Sequence, residues 1–200
     1  MESEGPASAY RIVTERLVIR CWHPADARLL KEAVDASLDH LRPWMPWAHA
    51  EPTTLEQKVA LLRSFRGRFD LGHDAVYGMF DPDERRVVGG TGLHPRVGAH
   101  AREIGYWIRV DATGRGLASE STAALTRVGF EVDGLERIEI HCDHANVRSA
   151  AIPPRLGYDR TDRIDGNGHL VFRMARSAYA ASPCAAAPLE AYGPAGDRLL

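Results

Sequence analysis

The sequence is poor in cysteine, has no long apolar run and carries almost no net charge. Its three cysteines, Cys21, Cys142 and Cys184, are widely spaced and odd in number, which argues against a disulfide framework and indicates a reducing compartment, the cytoplasm. Twenty-five basic and 27 acidic residues give a net charge of −2, which argues against a nucleic-acid partner or an anionic membrane surface. The first residues lack the basic and apolar regions of a signal peptide, and no run could span a membrane, so we expect a soluble protein.

Strand and helix patterns alternate along most of the 200 residues, of which 44% are hydrophobic and 26% charged. This length and composition predict a single α/β (or α+β) core. We divide the chain into a leader at residues 1–13, a domain at residues 14–176 and a tail at residues 177–200. The tail is rich in Ala, Pro and Gly and has no hydrophobic period, so we expect it to be mobile. The sequence does not determine the oligomeric state, and a homodimer is one of the states it allows.

Turn and capping signals predict the outer elements of the domain. We expect a strand at 16–20, a helix from Pro24, a second helix from a capping box at Thr53 or Thr54 to about Asp70, and a hairpin of strands 75–80 and 87–93. Pro153 and Pro154 predict a short or kinked helix after residue 146, because proline removes helical hydrogen bonds. A last hairpin should occupy 160–176 with its turn at 165–168, and should cover the acceptor side of any site.

The centre of the chain is a strand, a glycine turn and a helix. In the strand at 103–110, alternation places Ile104, Tyr106, Ile108 and Val110 on one face. A helical stripe begins at Leu117, and another strand follows at 135–142. A strand, helix and strand in this order demand a right-handed crossover with parallel pairing, so the two strands should be neighbours in the sheet.

The turn between strand and helix carries glycine at 114 and 116 with Arg115 between them. Two glycines allow successive N–H groups to face outward at a helix N-terminus, where free donors and the helix dipole favour a phosphate. The same pattern also occurs where the chain only makes a tight bend, so the turn alone leaves both interpretations open.

The segment Thr113-Gly-Arg-Gly-Leu-Ala118 resembles the pyrophosphate loop of the GNAT acyltransferases, Gln/Arg-x-x-Gly-x-Gly/Ala, with Thr113 departing from the first position. A second segment, from Asn146 through Ser149 to Leu156-Gly-Tyr158, is similar to that family's Asn-x-x-Ser/Ala and Leu-Gly-Phe/Tyr motifs. The resemblance implies a single domain with a mixed central sheet, flanked by helices, in which a parallel strand pair splays apart. It also implies an acetyl-CoA-dependent N-acetyltransferase whose cofactor lies in that gap.

The resemblance assigns cofactor-binding positions in three groups. Backbone groups of the splayed strand should polarise the thioester carbonyl, the glycine loop should hold the diphosphate, and Asn146 with Ser149 should hold the pantetheine amide and the thiol end. The strand and loop positions are Tyr106, Trp107, Ile108, Arg109, Thr113, Gly114, Arg115, Gly116, Leu117, Ala118 and Ser119. Asn146 and Ser149 could equally serve as helix caps.

Transfer to an amine requires a proton acceptor and a proton donor. Glu103 matches a glutamate base of some GNAT enzymes, and it could instead bind the acceptor; His94 and His100 are alternative bases. Many GNAT enzymes carry a catalytic tyrosine where this chain has Pro153, so Ser149 or water is left as the acid. Metal-compatible side chains occur at 141–144, but adjacent strand positions point in opposite directions, so we expect no metal.

Two tryptophans, Trp44 and Trp47, lie on a proline-stiffened segment and could line an acceptor pocket or fill space between helices. The segment Arg42-Pro-Trp-Met-Pro-Trp47 also resembles the corresponding segment of the Rim-type enzymes, which acetylate ribosomal-protein N-termini. That resemblance implies a protein N-terminal α-amine as acceptor. A small amine, such as an antibiotic or polyamine, is the enzymatic alternative, and a non-catalytic acyl-CoA-binding regulatory module is the alternative from another class.

Overall fold

The computed structural model describes residues 8–200. In this part of the chain one mixed sheet contains nine strands in the order β7-β8-β6-β5-β4-β3-β2-β1-β9. The strands are β1 Arg11–Val13, β2 Val18–Cys21, β3 Ala75–Phe80, β4 Val87–His94, β5 Ala101–Ile108, β6 Arg137–Cys142, β7 Asp159–Ile164, β8 Leu170–Ala175 and β9 Glu190–Tyr192. The α-helices are α1 Ala27–Asp35, α2 Leu38–Leu41, α3 Leu55–Asp70, α4 Leu117–Glu131, α5 Val147–Ala150, α6 Ile152–Arg155 and α7 Arg176–Tyr179. This is the mixed α/β architecture predicted from the sequence.

The capping box, the two hairpins and the proline-broken helix that the sequence predicts are all present in the structure. Thr54 caps α3 in a reciprocal capping box with Gln57. The hairpin of β3 and β4 is antiparallel, as is the closing hairpin of β7 and β8. Pro153 and Pro154 lie in the one-turn helix α6, which is separated from α5 at Ala151, so the expected short and broken helix is present.

Strands β5 and β6 form the parallel pair that the crossover requires. Their register runs only from Ala101, opposite Arg137, to Glu103, opposite Glu139. Strand β5 continues to Ile108 and β6 continues to Cys142 without further pairing between them. The two strands therefore splay apart toward their C-terminal ends, as the family resemblance implies, and α4 follows directly from the open end of β5.

Each face of the sheet packs against different helices. On one face, Leu125 and Val128 of α4 pack with Leu93, Ile104 and Ile138 of the central strands. The other face buries Leu30 of α1 and Leu62 of α3 against β2 and the ends of β3 and β4. Helices α1 and α3 cover this second face mainly at β3 and β4. The part at β5 and β6 is left as the floor of a cleft.

Three expectations differ from the structure. Val110 is not part of the strand face but lies in a 3₁₀ turn and is 40% exposed, because the ladder with β4 ends at Ile108. Of the expected leader, residues 1–7 lie outside the described residues, and Arg11–Val13 forms β1, paired with β2. The third difference concerns the C-terminal segment.

The expectation of a mobile tail at residues 177–200 is wrong. Strand β9 pairs antiparallel with β1, with Ala191 opposite Ile12. Cys184 and Ala191 are fully buried, and Tyr179 is 8% exposed. The composition of this segment did not indicate a strand, because its pairing partner β1 lies at the other end of the chain.

Candidate active site

A cleft of about 950 Å³ opens between the C-terminal half of β5, the N-terminus of α4 and the segment of α5 and α6. We call it the donor cleft. Its lining includes Tyr106, Trp107, Ile108, Thr113, Gly114, Gly116, Leu117, Ala118, Ser119, Asn146 and Ser149. Most of the cofactor-binding positions expected from the sequence therefore line one continuous cavity, although they come from three separate segments of the chain.

The glycine loop forms one end of the donor cleft. Gly114 and Gly116 have φ angles of +75° and +78°, in the left-handed region that favours glycine. Gly116 is the N-cap of α4, and the first hydrogen bond into the helix runs from the Glu120 N–H to the Gly116 carbonyl. The N–H groups of 117–119 precede that bond and point from the helix N-terminus, where an anion is favoured.

Neighbouring side chains hydrogen-bond to this loop from outside and leave the space in front of it open. The guanidinium of Arg16 donates to the Arg115 carbonyl at 2.6 Å and to the Glu120 carboxylate. The Arg115 side chain itself donates to the Asp111 carbonyl, and the Thr113 hydroxyl donates to the Val110 carbonyl. Open space lies where a Cβ of Gly114 would be. The loop thus has the shape and the donors that a diphosphate requires.

The free edge of β5 faces the splayed gap. The Arg109 N–H donates to the Val88 carbonyl at 2.9 Å, on the β4 side. Because backbone groups alternate along a ladder, the N–H groups of Tyr106 and Ile108 point to the opposite side, toward β6. The expectation that the Arg109 backbone faces the gap is therefore wrong. Its side chain also does not reach the gap, because the guanidinium donates to the Glu32 carboxylate. The backbone N–H of Trp107 belongs to the β4 side by the same alternation.

Asn146 and Ser149 lie opposite this free edge. The Asn146 side-chain oxygen accepts from the Ser149 N–H at 3.1 Å, so the capping role expected as one alternative is present. The Tyr106 hydroxyl donates to the Ser149 carbonyl at 3.3 Å. Burial raises the pKa of Tyr106 well above its ordinary value, which keeps the phenol protonated as a donor. This contact fixes Ser149 across the gap from β5.

A second cleft, of about 1,030 Å³, lies on the other side of Ser149. We call it the acceptor cleft. The two clefts share a boundary formed by Trp44, Met45, Tyr106, Trp107, Asn146 and Ser149. Trp47 packs edge-on against Trp107, with ring centroids 5.9 Å apart. Trp44 and Trp47 remain 36% and 41% exposed, so their rings form part of an open rim and do not serve merely to fill the space between helices.

Most acidic groups in the acceptor cleft are paired with a basic neighbour. Glu51 forms a buried ion pair with Lys58. Asp165 contacts His141 and His169, at 3.0 and 3.2 Å. Burial raises the pKa of Asp165, but backbone N–H donors of His169 and Asn167, together with His141, outweigh it and lower that pKa to about 2.

Glu103 lies on the floor of the acceptor cleft with looser contacts. The nearest basic groups are Arg96 at 3.7 Å and the His141 ring at 4.0 Å. Its side chain is 15% exposed. His94, the cross-strand neighbour of Glu103 in β4, lies beside it on the same face and contacts Asp74. His100 is fully separate from the cleft, in the exposed turn before β5.

Sequence reasoning named His94 as an alternative base, but it missed Glu139 and gave His141 no role beside Glu103. Alternation in β6 already places Glu139 and His141 on the face opposite Ile138 and Ile140, which could have indicated them. His141 contacts Glu139 and Asp165, whereas His144 is exposed beside Asp143. Within residues 8–200, no three His, Cys, Asp or Glu side chains are grouped to hold a metal ion.

The fold and the two adjoining clefts define an acyltransferase that uses coenzyme A. Residues 16–159 match the family model described as "Acetyltransferase (GNAT) domain". The chain belongs to this family, and it is an acetyl-CoA-dependent N-acetyltransferase. No helix within residues 8–200 combines the length and the apolar character needed to cross a membrane.

The chain is also similar to individual relatives. It is 29% identical over 155 residues to the [Ribosomal protein uS5]-alanine N-acetyltransferase of Escherichia coli (strain K12), covering 75% of this chain and 78% of that protein. Among solved structures, Mycobacterium smegmatis RimJ in complex with CoA-disulfide has a TM-score of 0.75 at 20% identity, covering 90% of this chain and 94% of that one. RimL, the ribosomal L7/L12 alpha-N-protein acetyltransferase in complex with coenzyme A, has a TM-score of 0.70 at 20% identity, covering 82% and 96%.

Proposed function

We propose that this enzyme acetylates the N-terminal α-amine of a protein or peptide. The observation that carries the proposal is the open acceptor cleft, which joins the donor cleft at Ser149 and is rimmed by exposed Trp44 and Trp47. An extended chain can enter such a cleft from solvent with its terminal amine directed at the boundary. The uS5 alanine acetyltransferase to which the chain is similar acts on a protein, which supports the same acceptor class.

The charges in the acceptor cleft disfavour a polycationic small molecule. Such a ligand needs several unpaired carboxylates, but Glu51, Asp74 and Asp165 each have a basic partner in the cleft wall. Glu103 is the carboxylate with the loosest contacts there. One such group suits one ammonium, which is what a single peptide N-terminus presents.

In this proposal the residues have distinct roles. The N–H groups from Gly114 to Ser119 hold the diphosphate, and those of Tyr106 and Ile108 polarise the thioester carbonyl. When bound, acetyl-CoA supplies an activated acetyl group. Glu103 attracts and holds the acceptor ammonium. The Ser149 hydroxyl, held across the gap by Tyr106, donates a hydrogen bond to the departing sulfur.

A ribosomal-protein acceptor would place the enzyme in the cytoplasm. Cys21, Cys142 and Cys184 are free and buried, which agrees with a reducing compartment. Thiol release should be measured with acetyl-CoA and a panel of peptides that begin with Ala or Ser, with polyamines and aminoglycosides in parallel. We expect turnover on peptides, and mass spectrometry should place the acetyl group on the α-nitrogen.

Matched peptides with a blocked N-terminus and one free lysine side chain serve as the control. Preferred turnover of small amines, or of the lysine control, would contradict the proposal. Tight binding of acetyl-CoA in calorimetry without turnover on any amine would instead favour a regulatory acyl-CoA-binding module.

A further inference from the structure

An aspartate and a histidine form a hydrogen-bonded pair in the floor of the acceptor cleft. Asp74 immediately precedes β3, and His94 ends β4. The Asp74 Oδ1 atom lies 2.8 Å from His94 Nδ1, and Asp74 Oδ2 accepts from the Arg68 guanidinium at 3.0 Å. The side chains of Asp74 and His94 are only 8% and 13% exposed. Both residues line the cleft.

The carboxylate determines which nitrogen of His94 is available. Burial raises the pKa of Asp74, but His94 and Arg68 outweigh it and lower that pKa, so Asp74 is an anion that can only accept hydrogen bonds. The proton of the neutral ring must then lie on Nδ1, where it can be donated to Asp74. Nε2 is left with its lone pair. No hydrogen bond to Nε2 is formed within the part of the chain that the structure describes.

Two glycines give the ring its place on the sheet. A Cβ on Gly92 would lie 2.7 Å from His94 Nε2, so only glycine admits the ring there. A Cβ on Gly105 would lie 3.5 Å from the same atom. Gly105 directly precedes Tyr106, whose N–H faces the splayed gap by the alternation described above. The free nitrogen therefore lies over the strand position next to the expected thioester carbonyl.

We propose that His94 is the catalytic base, that Asp74 is its positioning residue, and that Glu103 holds the acceptor amine beside them. This inference rests on the proposed function and deepens it. The α-ammonium binds at Glu103, one N–H proton moves to Nε2, and the nitrogen lone pair attacks the acyl carbon. The carbon–sulfur bond then breaks, and the second proton lost by the nitrogen reaches the departing sulfur through the Ser149 hydroxyl or water. The ring becomes an imidazolium that Asp74 stabilises, and it later returns the proton to solvent.

The chemistry favours this division of roles over Glu103 as the base. An α-ammonium group ionises at about pH 7.7–8.0, and imidazole is the side chain whose ordinary titration lies nearest to that range. A carboxylate is a much weaker base but a better partner for a cation. The charged and titratable groups around His94 in the cleft are Asp74, which contacts the ring, Glu103, its neighbour on β5, and Arg68, Arg96 and His141.

The test compares His94→Gln with His73→Gln in the full chain, using acetyl-CoA and an accepted peptide. His73 is exposed, lies next to Asp74 in sequence and does not line the cleft. We expect His94→Gln to lower kcat/KM about 100-fold near pH 7, the low end for loss of a general base, and His73→Gln to leave it unchanged. The deficit should shrink above pH 9, where the α-amine loses its proton without help. Calorimetric affinity for coenzyme A should not change in either variant.

Asp74→Asn and Glu103→Gln separate the two supporting roles. Asp74→Asn should lower kcat/KM near pH 7, because a neutral partner no longer stabilises the imidazolium that forms when the ring takes the proton. In ¹⁵N NMR of the imidazoles, it should also reduce the population of the Nδ1–H tautomer of His94. Glu103→Gln should raise KM for the peptide and leave the shape of the profile unchanged.

Retention of the wild-type rate and pH profile by both His94→Gln and Asp74→Asn would overturn the inference, as would loss of the acid limb in Glu103→Gln alone. A melting temperature equal to that of the wild type shows that a variant with low activity is folded. If His94→Gln does not fold, the activity of Asp74→Asn and its NMR spectrum test the role of His94 instead. Absence of turnover by the unaltered protein on every amine would contradict the proposed function itself, and with it this role of His94.

Discussion

The burial of Asp133 predicts how the free energy of unfolding depends on pH. It follows the C-terminus of α4 and is 7% exposed. Its Oδ2 atom accepts from the Ser8 hydroxyl at 2.9 Å, and its Oδ1 atom is buried without a hydrogen-bond partner among residues 8–200. Burial raises its pKa from 3.8 to about 7, against smaller opposing effects of Ser8 and Arg102.

This raised pKa sets the sign and size of the effect. Between pH 4 and pH 7 the folded protein keeps the Asp133 proton and the unfolded chain loses it, so the free energy of unfolding must fall as pH rises. Each pKa unit corresponds to about 1.4 kcal/mol, so the change from 3.8 to about 7 is worth up to about 4 kcal/mol. The full penalty applies above about pH 8, and none applies below pH 4.

Asp133→Asn removes the ionisation and keeps an acceptor for Ser8. We expect the variant to match wild type near pH 4 and to be more stable at pH 8, by up to about 4 kcal/mol. Urea unfolding at both pH values measures this difference, and the contributions of other carboxylates cancel between the two proteins. An equal free energy of unfolding for both proteins at pH 8 would refute the reasoning, because it would mean that Asp133 ionises in the fold without cost.

Three further predictions concern the clefts. Gly116→Glu should abolish coenzyme A binding in calorimetry, because it introduces bulk and negative charge at the anion site and strains a φ of +78°; unchanged affinity would contradict the loop assignment. Lys58→Met should lower the free energy of unfolding in urea by about 3–5 kcal/mol, because it leaves the Glu51 carboxylate buried without its cation. Lys31→Met, at an exposed ion pair, is the control and should lower it by less than about 1 kcal/mol. Equal losses in the two variants would be inconsistent with this difference in burial. Gly105→Ala should reduce acetylation of peptides while coenzyme A still binds, because the methyl group lies against His94 Nε2; full activity would argue against that position of the ring.

The glycine turn and the helix that follows it agree with the sequence-based expectation because their signals are local. The φ angles of Gly114 and Gly116 and the start of α4 at Leu117 depend on neighbouring residues only. The hairpins and the capping box at Thr54 are likewise decided within a few residues. The parallel pairing of β5 and β6 followed from the order of elements, and the splay of the two strands came from the family resemblance.

The features that were missed depend on contacts distant in sequence. Strand β9 is ordered by pairing with β1, at the other end of the chain, so its composition alone suggested mobility. Asp74 and His94 are 20 residues apart and meet because β3 and β4 bring them together. Arg109 was misassigned because the side of the strand that faces the gap depends on its hydrogen bond to Val88.

The boundary between the two clefts means that the segments beside one cleft can be changed without altering those beside the other. The glycine loop and α4 lie on one side of it, and the β7–β8 turn with the Trp47 segment lies on the other. In the proposed assignment of the clefts, substitutions in the outer segments change the space for the incoming amine and leave the glycine loop intact.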